Sequence, residues 1–539
     1  MFKKLIPHLL LALVVFILTI GQQYLFFGFK NYPIYWYPFS KLLIVFLFFF
    51  AATFIQNSKS RFFFLGFVIF LNMGQMMHMS YFGTQILPAE YYLLFTQMGE
   101  IQGTLKEELH HILIPILFTI IPVLALYFAH LKIKLHYQFK FLTALFILYL
   151  IYNPARTYVT GNTWGRQPST RELSGMNAYL TLSYFLGKIL PLKISKVGAQ
   201  TSINSSLKLK IEKAFASKWD KIILIAGESL TPHHMQLFGY PKETTPYLNS
   251  MQGNRFFYTQ GLSSGVSTDI SLSFFFNLTF GSSGAMKASK GEHCLFKLAK
   301  NQNFGTHFLS VQSEEQLRYI TPYLCSSFLD EYQSLEQIDP SNKDPNAAED
   351  KKLFPRLENL LKISGPQFIV LNQRGSHAPW NLRYSAEANK FKGEDYPDKR
   401  IADYDNSVFQ FDLFWKDLDQ ILKQSKEKIL VIYFSDHGEA LGEEGRWGHG
   451  GLYNHAFEIP VIITAYNQDL PKETFSLPNH LTHYNLGLYL IEAMGMISNQ
   501  SSSQRVNDFV IFGNDIDGLA GQAIINWQAS GGYDFKISI

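Results

Sequence analysis

Charge is scarce in this chain. Asp, Glu, Lys and Arg make up 17% of its 539 residues, against 47% hydrophobic ones. That balance is apolar for a soluble protein, chiefly because charge is low. Cysteine is nearly absent, with only Cys294 and Cys325. So few thiols exclude a small disulfide-framed fold and a cysteine-built zinc cluster. The pair itself is open to either one disulfide or two free thiols. Neither sign of charge dominates, since 47 basic residues meet 43 acidic ones for a net charge of +4. With no basic tract, nucleic acid is not an expected partner. Low-complexity segments and internal repeats are missing too, which excludes linker-rich and solenoid architectures.

Phenylalanine is abundant, at 48 residues, and concentrates near the N-terminus. The length suits two large parts, one greasy and one of ordinary composition. Leu5–Phe27 contains no Asp, Glu, Lys or Arg and is long enough to cross a bilayer. No small-residue cleavage site follows it, so it reads as a span and not a signal peptide. Further apolar runs are Leu42–Phe54, Phe62–Tyr81, Ile112–Leu131 and Phe141–Tyr152, giving five expected spans. Lys3 and Lys4, then Lys59 and Arg61, then Lys132, Lys134 and Lys140 fall on one side of such a bundle. By the positive-inside rule that side is cytoplasmic, and the C-terminal part lies outside. Tyr32–Phe39 reads as an outer aromatic belt, and Tyr91–Met98 as an interfacial helix in an outer loop from Phe82 to Glu108. Glu100, Glu107 and Glu108 in that loop fit either a lipid headgroup or a solvated acidic face.

Residues 153–218 are mixed and interrupted by Pro154, Pro168 and Pro191, with Tyr179–Leu190 apolar enough to lie on a membrane surface. The expected organisation is therefore a transmembrane domain over 1–152, a bridge over 153–218 and a catalytic domain over 219–539. In the last part, Ile222–Ala226, His307–Val311, Phe368–Asn372, Ile429–Phe434 and Val461–Thr464 are short apolar runs separated by helical stretches. Unbroken apolar strands between helices indicate an α/β domain with a mostly parallel sheet covered on both faces.

Three of these strands run into polar clusters: Gly227-Glu228-Ser229, Arg374-Gly375-Ser376-His377 and Ser435-Asp436-His437-Gly438-Glu439. Sites in such sheets lie beyond the carboxyl ends of strands, so one shared site is expected. Asp436 and His437, with Glu228 as a second carboxylate, suit zinc and leave one position for a reacting group. Taken alone, Asp436 could cap a helix and His437 could simply pack. The reacting group should be a hydroxyl from the segment Gly261–Phe276. A helix is expected to start near Thr268, where a hydroxyl meets unpaired amides and the positive end of the helix dipole. Taken alone, Ser267 or Thr268 is equally an N-cap.

Gly227-Glu228-Ser229, followed by Phe238-Gly-Tyr-Pro-Lys-Glu-Thr-Thr-Pro-Tyr-Leu248 and by Ser435-Asp-His-Gly-Glu439, resembles the phosphoethanolamine transferase family. That family modifies lipid A and other envelope glycans and belongs to the alkaline phosphatase and sulfatase superfamily. The resemblance covers essentially the whole chain and implies five membrane helices followed by an alkaline-phosphatase/sulfatase-like α/β domain. It implies Glu228, Thr268, Asp436 and His437 as zinc ligands, Thr268 as nucleophile, and His377 and His449 as phosphate-binding histidines. His455 is read as packing. The donor it implies is phosphatidylethanolamine, the acceptor lipid A or another envelope glycan, and the location a bacterial inner membrane with the catalytic domain of a monomer in the periplasm. Ser264-Gly265-Val266 replaces the Cys-Gly-Thr start common in lipid A-modifying members, and those members carry more cysteines. The acceptor therefore stays open among lipid A, core sugar, a periplasmic glucan and a glycan on protein. Rival readings are a glycerophosphate transferase of the lipoteichoic acid synthase type and a non-catalytic envelope scaffold. Sulfate-ester chemistry is disfavoured because Thr268-Asp269-Ile270 cannot supply a Cys/Ser-x-Pro-x-Arg nucleophile setting.

Overall fold

The structure is a computed structural model that describes residues 2–30, 38–82, 85–88, 90–96, 109–135, 140–160, 173–195, 209–281, 284–515 and 520–538. The chain forms two compact units. One comprises Met1–Val197 with Gly442–Trp447, and the other comprises Gly198–Leu441 with Gly448–Ile539.

Long helices dominate the first unit: Phe2–Phe29, Phe39–Ala52, Ser58–Phe82, Leu109–Lys132 and Lys140–Thr160. Among the described residues, three stretches are long and apolar enough to cross a membrane: Lys3–Phe29, Ser58–Tyr81 and Leu113–Lys132. The other two expected spans are helical but fall short for different reasons. Phe39–Ala52 has 14 residues, a rise of about 21 Å against a hydrocarbon core of about 30 Å. Lys140–Thr160 turns polar after Tyr152, at Asn153, Pro154 and Arg156. Phenylalanines pack the interior, with Phe49 and Phe146 buried beside Leu11, Val15, Leu65 and Ile69. A buried amide relay joins three of the helices: Asn72 Nδ2 donates to Gln22 Oε1 at 2.9 Å, and Gln22 Nε2 donates to Thr119 Oγ1 at 2.7 Å. Such bonds hold helices together where burial from water gives no preference for helix–helix over helix–lipid contact. Tyr91–Thr96 lies within a helix, Glu90–Thr96. Most of the expected aromatic belt and all of Glu100, Glu107 and Glu108 lie outside the described residues. Tyr179–Leu190 is helical within Ser174–Ser195, with its middle turn, Phe185–Ile189, π-helical.

An eight-stranded sheet organises the second unit: β1 (Lys221–Gly227), β2 (Phe256–Leu262), β3 (Gly305–Ser310), β4 (Glu331–Gln333), β5 (Gln367–Asn372), β6 (Ile429–Ser435), β7 (Glu458–Tyr466) and β8 (Leu481–Thr482). In space the order is β8-β2-β7-β6-β1-β5-β3-β4. β7 alone runs against its neighbours, and every other pairing is parallel. Every residue of β1, β5, β6 and β7 is buried, as expected for strands covered on both faces. In register, Ala226 faces Asn372 and Gly227 faces Ser435, so the chain leaves β1, β5 and β6 at one level. A further antiparallel sheet closes the C-terminus over Val510–Phe512, Gln522–Trp527 and Tyr533–Ser538. Cys294 and Cys325 form a disulfide, with their Cα atoms 6.6 Å apart.

The helix Lys399–Lys423 shows why the segment Phe238–Leu248 is built as it is. Asp405, Asp412 and Asp419 recur along it two turns apart and are all buried. Asp405 accepts hydrogen bonds from Tyr240, at 2.9 Å, and from Tyr396, at 2.6 Å, and its other oxygen lies 2.6 Å from His234 Nδ1. Asp412 caps the turn Pro246–Ser250 by accepting from the amides of Tyr247 and Leu248 at 2.8 and 2.9 Å. Asp419 accepts from the hydroxyls of Tyr247 and Tyr466 at 2.5 and 3.0 Å. This motif holds the fold beside the site and contributes no reacting group.

Candidate active site

β1 is a run of β-branched and aliphatic residues that stops at Gly227, and Glu228 and Ser229 follow it. Ser229 takes a left-handed conformation, φ 56°, which a non-glycine residue adopts only when its surroundings enforce it. Here they do. The Ser229 amide donates to Asp436 Oδ1 at 3.0 Å, and the Leu230 amide donates to Ser435 Oγ at 2.8 Å. The Tyr404 hydroxyl donates to the Ser229 carbonyl at 2.8 Å and accepts from the Thr231 amide at 2.9 Å. The turn after β1 is thus clamped to the turn after β6.

At the end of β6, Asp436 and His437 are fully buried. Asp436 Oδ1 is occupied by the amides of Ser229 and His437, whereas Oδ2 is buried with no hydrogen-bond partner. His437 Nδ1 donates to the Gly438 carbonyl at 2.9 Å, which turns Nε2 toward the carboxylates. Gly438 is required by close approach, because a Cβ there would lie 2.2 Å from the His455 carbonyl oxygen and 2.5 Å from that of Glu458.

Thr268 is the first residue of the helix Thr268–Phe276. The loop before it is fixed from several sides. Ser263 Oγ donates to the Asp436 carbonyl at 2.6 Å, the Val266 amide donates to the Phe512 carbonyl at 3.1 Å, and the Ser264 amide donates to His483 Nδ1 at 3.3 Å. The other nitrogen of His483 donates to the Ser435 carbonyl at 3.1 Å. His483 thereby ties the threonine loop to the end of β6. Burial holds its pKa down at about 3, so it is neutral.

These elements bring four predicted residues together. Thr268 Oγ1 lies 3.2 Å from each oxygen of Glu228 and 3.4 Å from His437 Nε2. His437 Nε2 lies 3.4 Å from Glu228 Oε1 and 3.4 Å from Asp436 Oδ2. Zinc bonds of about 2.0–2.1 Å in a tetrahedron set ligand atoms about 3.3–3.4 Å apart. The donor set, the spacing and the orphaned Asp436 Oδ2 therefore fit a zinc ion held by all four groups. One ligand atom from each of Glu228, Asp436 and His437 lies within 4.8 Å of the other two. Electrostatics agree. Burial, then the charge of Glu228, pushes the Asp436 carboxyl up to about 7. Burial raises Glu228 as well, but the His437 hydrogen bond and the charges of His437 and Arg374 outweigh it and hold Glu228 far below the usual carboxylate range. Burial opposes charge on His437, yet Asp436 and Glu228 raise it to about 10. Two anions packed out of water attract positive charge, which a divalent cation supplies. Glu228, Asp436 and His437 are sealed from solvent, and Thr268 is the half-buried member, so the hydroxyl is the group a substrate can reach.

His377 and His449 stand beside this cluster. The His449 ring lies 3.9 Å from that of His437 and 6.1 Å from that of His377, centroid to centroid. His449 Nδ1 donates to Glu439 at 2.9 Å, and His377 Nδ1 donates to the Ala378 carbonyl. Burial is the main reason both imidazoles sit well below their ordinary pKa, so both are neutral with an unprotonated Nε2. His455 is apart from the metal-spaced groups, with its ring 4.4 Å from that of His233. Sequence reasoning missed Gln312, His483 and Tyr404, which carry no motif of their own.

Residues 220–489 match the family model described as Sulfatase, which is half of the chain. The chain belongs to the sulfatase family. Among curated relatives, phosphoethanolamine transferase EptA of Helicobacter pylori is 28% identical over 51% of this chain and 53% of its own length. A Kdo(2)-lipid A phosphoethanolamine 7''-transferase of Salmonella typhimurium is 27% identical over 45% of this chain and 44% of its own. The chain spans about half the length of the curated relatives it matches. Among solved structures, the integral membrane lipooligosaccharide phosphoethanolamine transferase A of Neisseria meningitidis superposes with a TM-score of 0.60. It is 18% identical, and the match covers 92% of this chain and 97% of that one, a likeness of fold. Membership in the sulfatase family specifies the scaffold, on which Thr268 stands at the centre of the cluster.

Proposed function

We propose that this chain is a zinc-dependent phosphoethanolamine transferase that moves the group from phosphatidylethanolamine to an envelope acceptor through a phospho-threonine at Thr268. One observation carries the reading: a half-exposed hydroxyl at a helix N-terminus, 3.2 Å from both oxygens of a buried carboxylate and 3.4 Å from an imidazole nitrogen. Glu228, Asp436, His437 and Thr268 would hold the ion, and the relatives' names supply the transferred group. When bound, zinc favours the threonine alkoxide and offsets charge on the phosphoryl oxygens.

The chain's own residues do the rest. Thr268 Oγ1 attacks phosphorus, forming the Thr268 O–P bond as the P–O bond to diacylglycerol breaks, and the departing oxygen takes the proton that the threonine hydroxyl gave up. First-turn amides of Thr268–Phe276 receive phosphoryl oxygens. One of His377 and His449, both neutral in the resting site, accepts the single proton of an incoming hydroxyl, offers N–H to the anionic group and then returns that proton to the Thr268 oxygen as it is released. The acceptor oxygen attacks phosphorus and breaks the Thr268 O–P bond, which regenerates the threonine. Donor and leaving group are both lipids, so a membrane-anchored chain avoids drawing acyl chains into water. The catalytic domain then lies in the periplasm and the helices in the inner membrane, and the Cys294–Cys325 disulfide supports the first of these, because such bonds persist in oxidising compartments. The acceptor class is lipid A or another envelope glycan, and the active unit is a monomer.

Purified protein incubated with headgroup-labelled phosphatidylethanolamine and an envelope glycan should transfer label and release diacylglycerol. Transfer from labelled phosphatidylglycerol, with phosphatidylethanolamine inert, would overturn the reading in favour of glycerophosphate transfer.

A further inference from the structure

Beyond the four clustered residues, one side chain governs how Glu228 is presented. Gln312 follows β3 and is 3% exposed. Its Nε2 donates to Glu228 Oε2 at 3.0 Å and to the Gln373 carbonyl at 2.9 Å, so both amide hydrogens are used. The backbone beneath it is pinned as well. The Gln312 amide donates to Ser310 Oγ at 3.0 Å, and Ser310 Oγ donates to Asn372 Oδ1 at 2.7 Å. A continuous relay therefore runs from the end of β5, through the end of β3, to the carboxylate at the end of β1.

The accounting at Glu228 shows what this relay accomplishes. A carboxylate offers about four lone-pair sites, two on each oxygen. Ser229 Oγ takes one on Oε1 at 3.1 Å, and Gln312 takes one on Oε2. The remaining site on each oxygen faces the Thr268 and His437 side, with Oγ1 3.2 Å from both oxygens and His437 Nε2 3.4 Å from Oε1. Without Gln312, Oε2 keeps only the Thr268 hydroxyl, itself one of the four clustered groups, to hold it against rotation about the last side-chain torsion, which is intrinsically soft. Partners of metal-ligating carboxylates act in this way, by fixing the ligand's direction before the ion arrives.

We infer that Gln312 is a positioning residue that fixes the rotation of the Glu228 carboxylate and thereby sets the affinity of the Glu228–Asp436–His437–Thr268 cluster for zinc. The inference rests on the zinc–threonine reading above. The Gln312 side chain bonds to Glu228 and the Gln373 carbonyl and not to the reacting hydroxyl, so it acts through Glu228.

The test uses the full chain in detergent, stripped of metal, with zinc affinity read by competition against a chromophoric chelator and the melting temperature of the metal-free protein read alongside. Gln312→Met keeps length and removes the donor. Gln312→Asn keeps the amide but is one methylene too short to reach. Both should bind zinc about 10- to 100-fold more weakly than wild type. Turnover in both should recover toward wild type as zinc is raised to saturation, which a purely structural role would not produce. Wild-type zinc affinity in both variants, with only a lowered melting temperature, would overturn the inference and leave the zinc reading standing. A wild-type protein that binds no zinc would overturn both.

Discussion

Replacing Glu228 by Gln is the most informative single change at the cluster. It preserves volume at a site that is 1% exposed and removes one of the two anions facing His437 Nε2. Four protein ligands hold zinc in small sites with about 10–16 kcal/mol. One ligand's share is then about 2.5–4 kcal/mol, or roughly 100- to 1,000-fold in affinity. The local hydrogen bonding adds to this loss. Gln312 and Ser229 donate to opposite oxygens of Glu228, and an amide offers an acceptor on one side only. The amide must then turn its NH2 toward Ser229 Oγ, which accepts, so the Ser229 hydroxyl hydrogen loses its buried acceptor, a cost of about 1–3 kcal/mol. Chelator competition on the full chain in detergent reads the affinity, and circular dichroism checks that the fold survives. A folded Glu228→Gln protein with wild-type zinc affinity would refute the assignment of Glu228 as a ligand and the spacing argument with it.

Other consequences can be checked separately. Gly375 has φ +51°, and a Cβ there would lie 2.7 Å from the Glu228 carbonyl oxygen and 2.9 Å from its amide nitrogen; Gly375→Ala should displace Glu228, weaken zinc binding at least tenfold and lower the melting temperature, and a variant with unchanged zinc affinity would count against this packing. Asp412→Ala leaves the amides of Tyr247 and Leu248 without their acceptor, at about 1–3 kcal/mol for the buried Leu248 amide and less for the part-buried Tyr247 one, so the urea midpoint should fall while zinc affinity holds. Burial, above all, pushes Asp350 and Asp412 up to about 6 each. The folded chain then keeps protons that the unfolded chain has released, so stability of the metal-free protein should fall as pH rises from about 4 to about 6. Urea midpoints across that window should show a shallower slope in Asp412→Asn, and an identical slope would contradict the burial argument.

Much of the site could be read from the chain because of how this kind of sheet is encoded. β1, β5 and β6 are buried on both faces, so they stand out as unbroken apolar runs, and the polar residue at each end marks where the strand leaves the sheet. That logic reaches Glu228, Asp436, His437 and His377 from residues alone. Thr268 needed the family resemblance, since Ser267 and Thr268 are equally good caps by local chemistry. Gln312 and His483 were beyond reach, because a lone Gln or His carries no spacing signal and their partners lie 84 and 219 residues away. Asp405, Asp412 and Asp419 are visible as a repeating acidic face, which reads as solvated until the tyrosines and amides that cover it are seen. Val461–Thr464 was legible as strand, but its reversed direction depends on pairing with both β2 and β6. In the membrane unit, flanking aromatics in the sequence suggest longer spans than the 14-residue helix Phe39–Ala52 provides.

Covalent capture of the transferred group tests the central claim most directly. Protein held with phosphatidylethanolamine and no acceptor, quenched, digested and analysed by tandem mass spectrometry should carry phosphoethanolamine on Thr268, and Thr268→Ala protein should carry none and release no diacylglycerol. An adduct on another residue, or full transfer by Thr268→Ala, would contradict it.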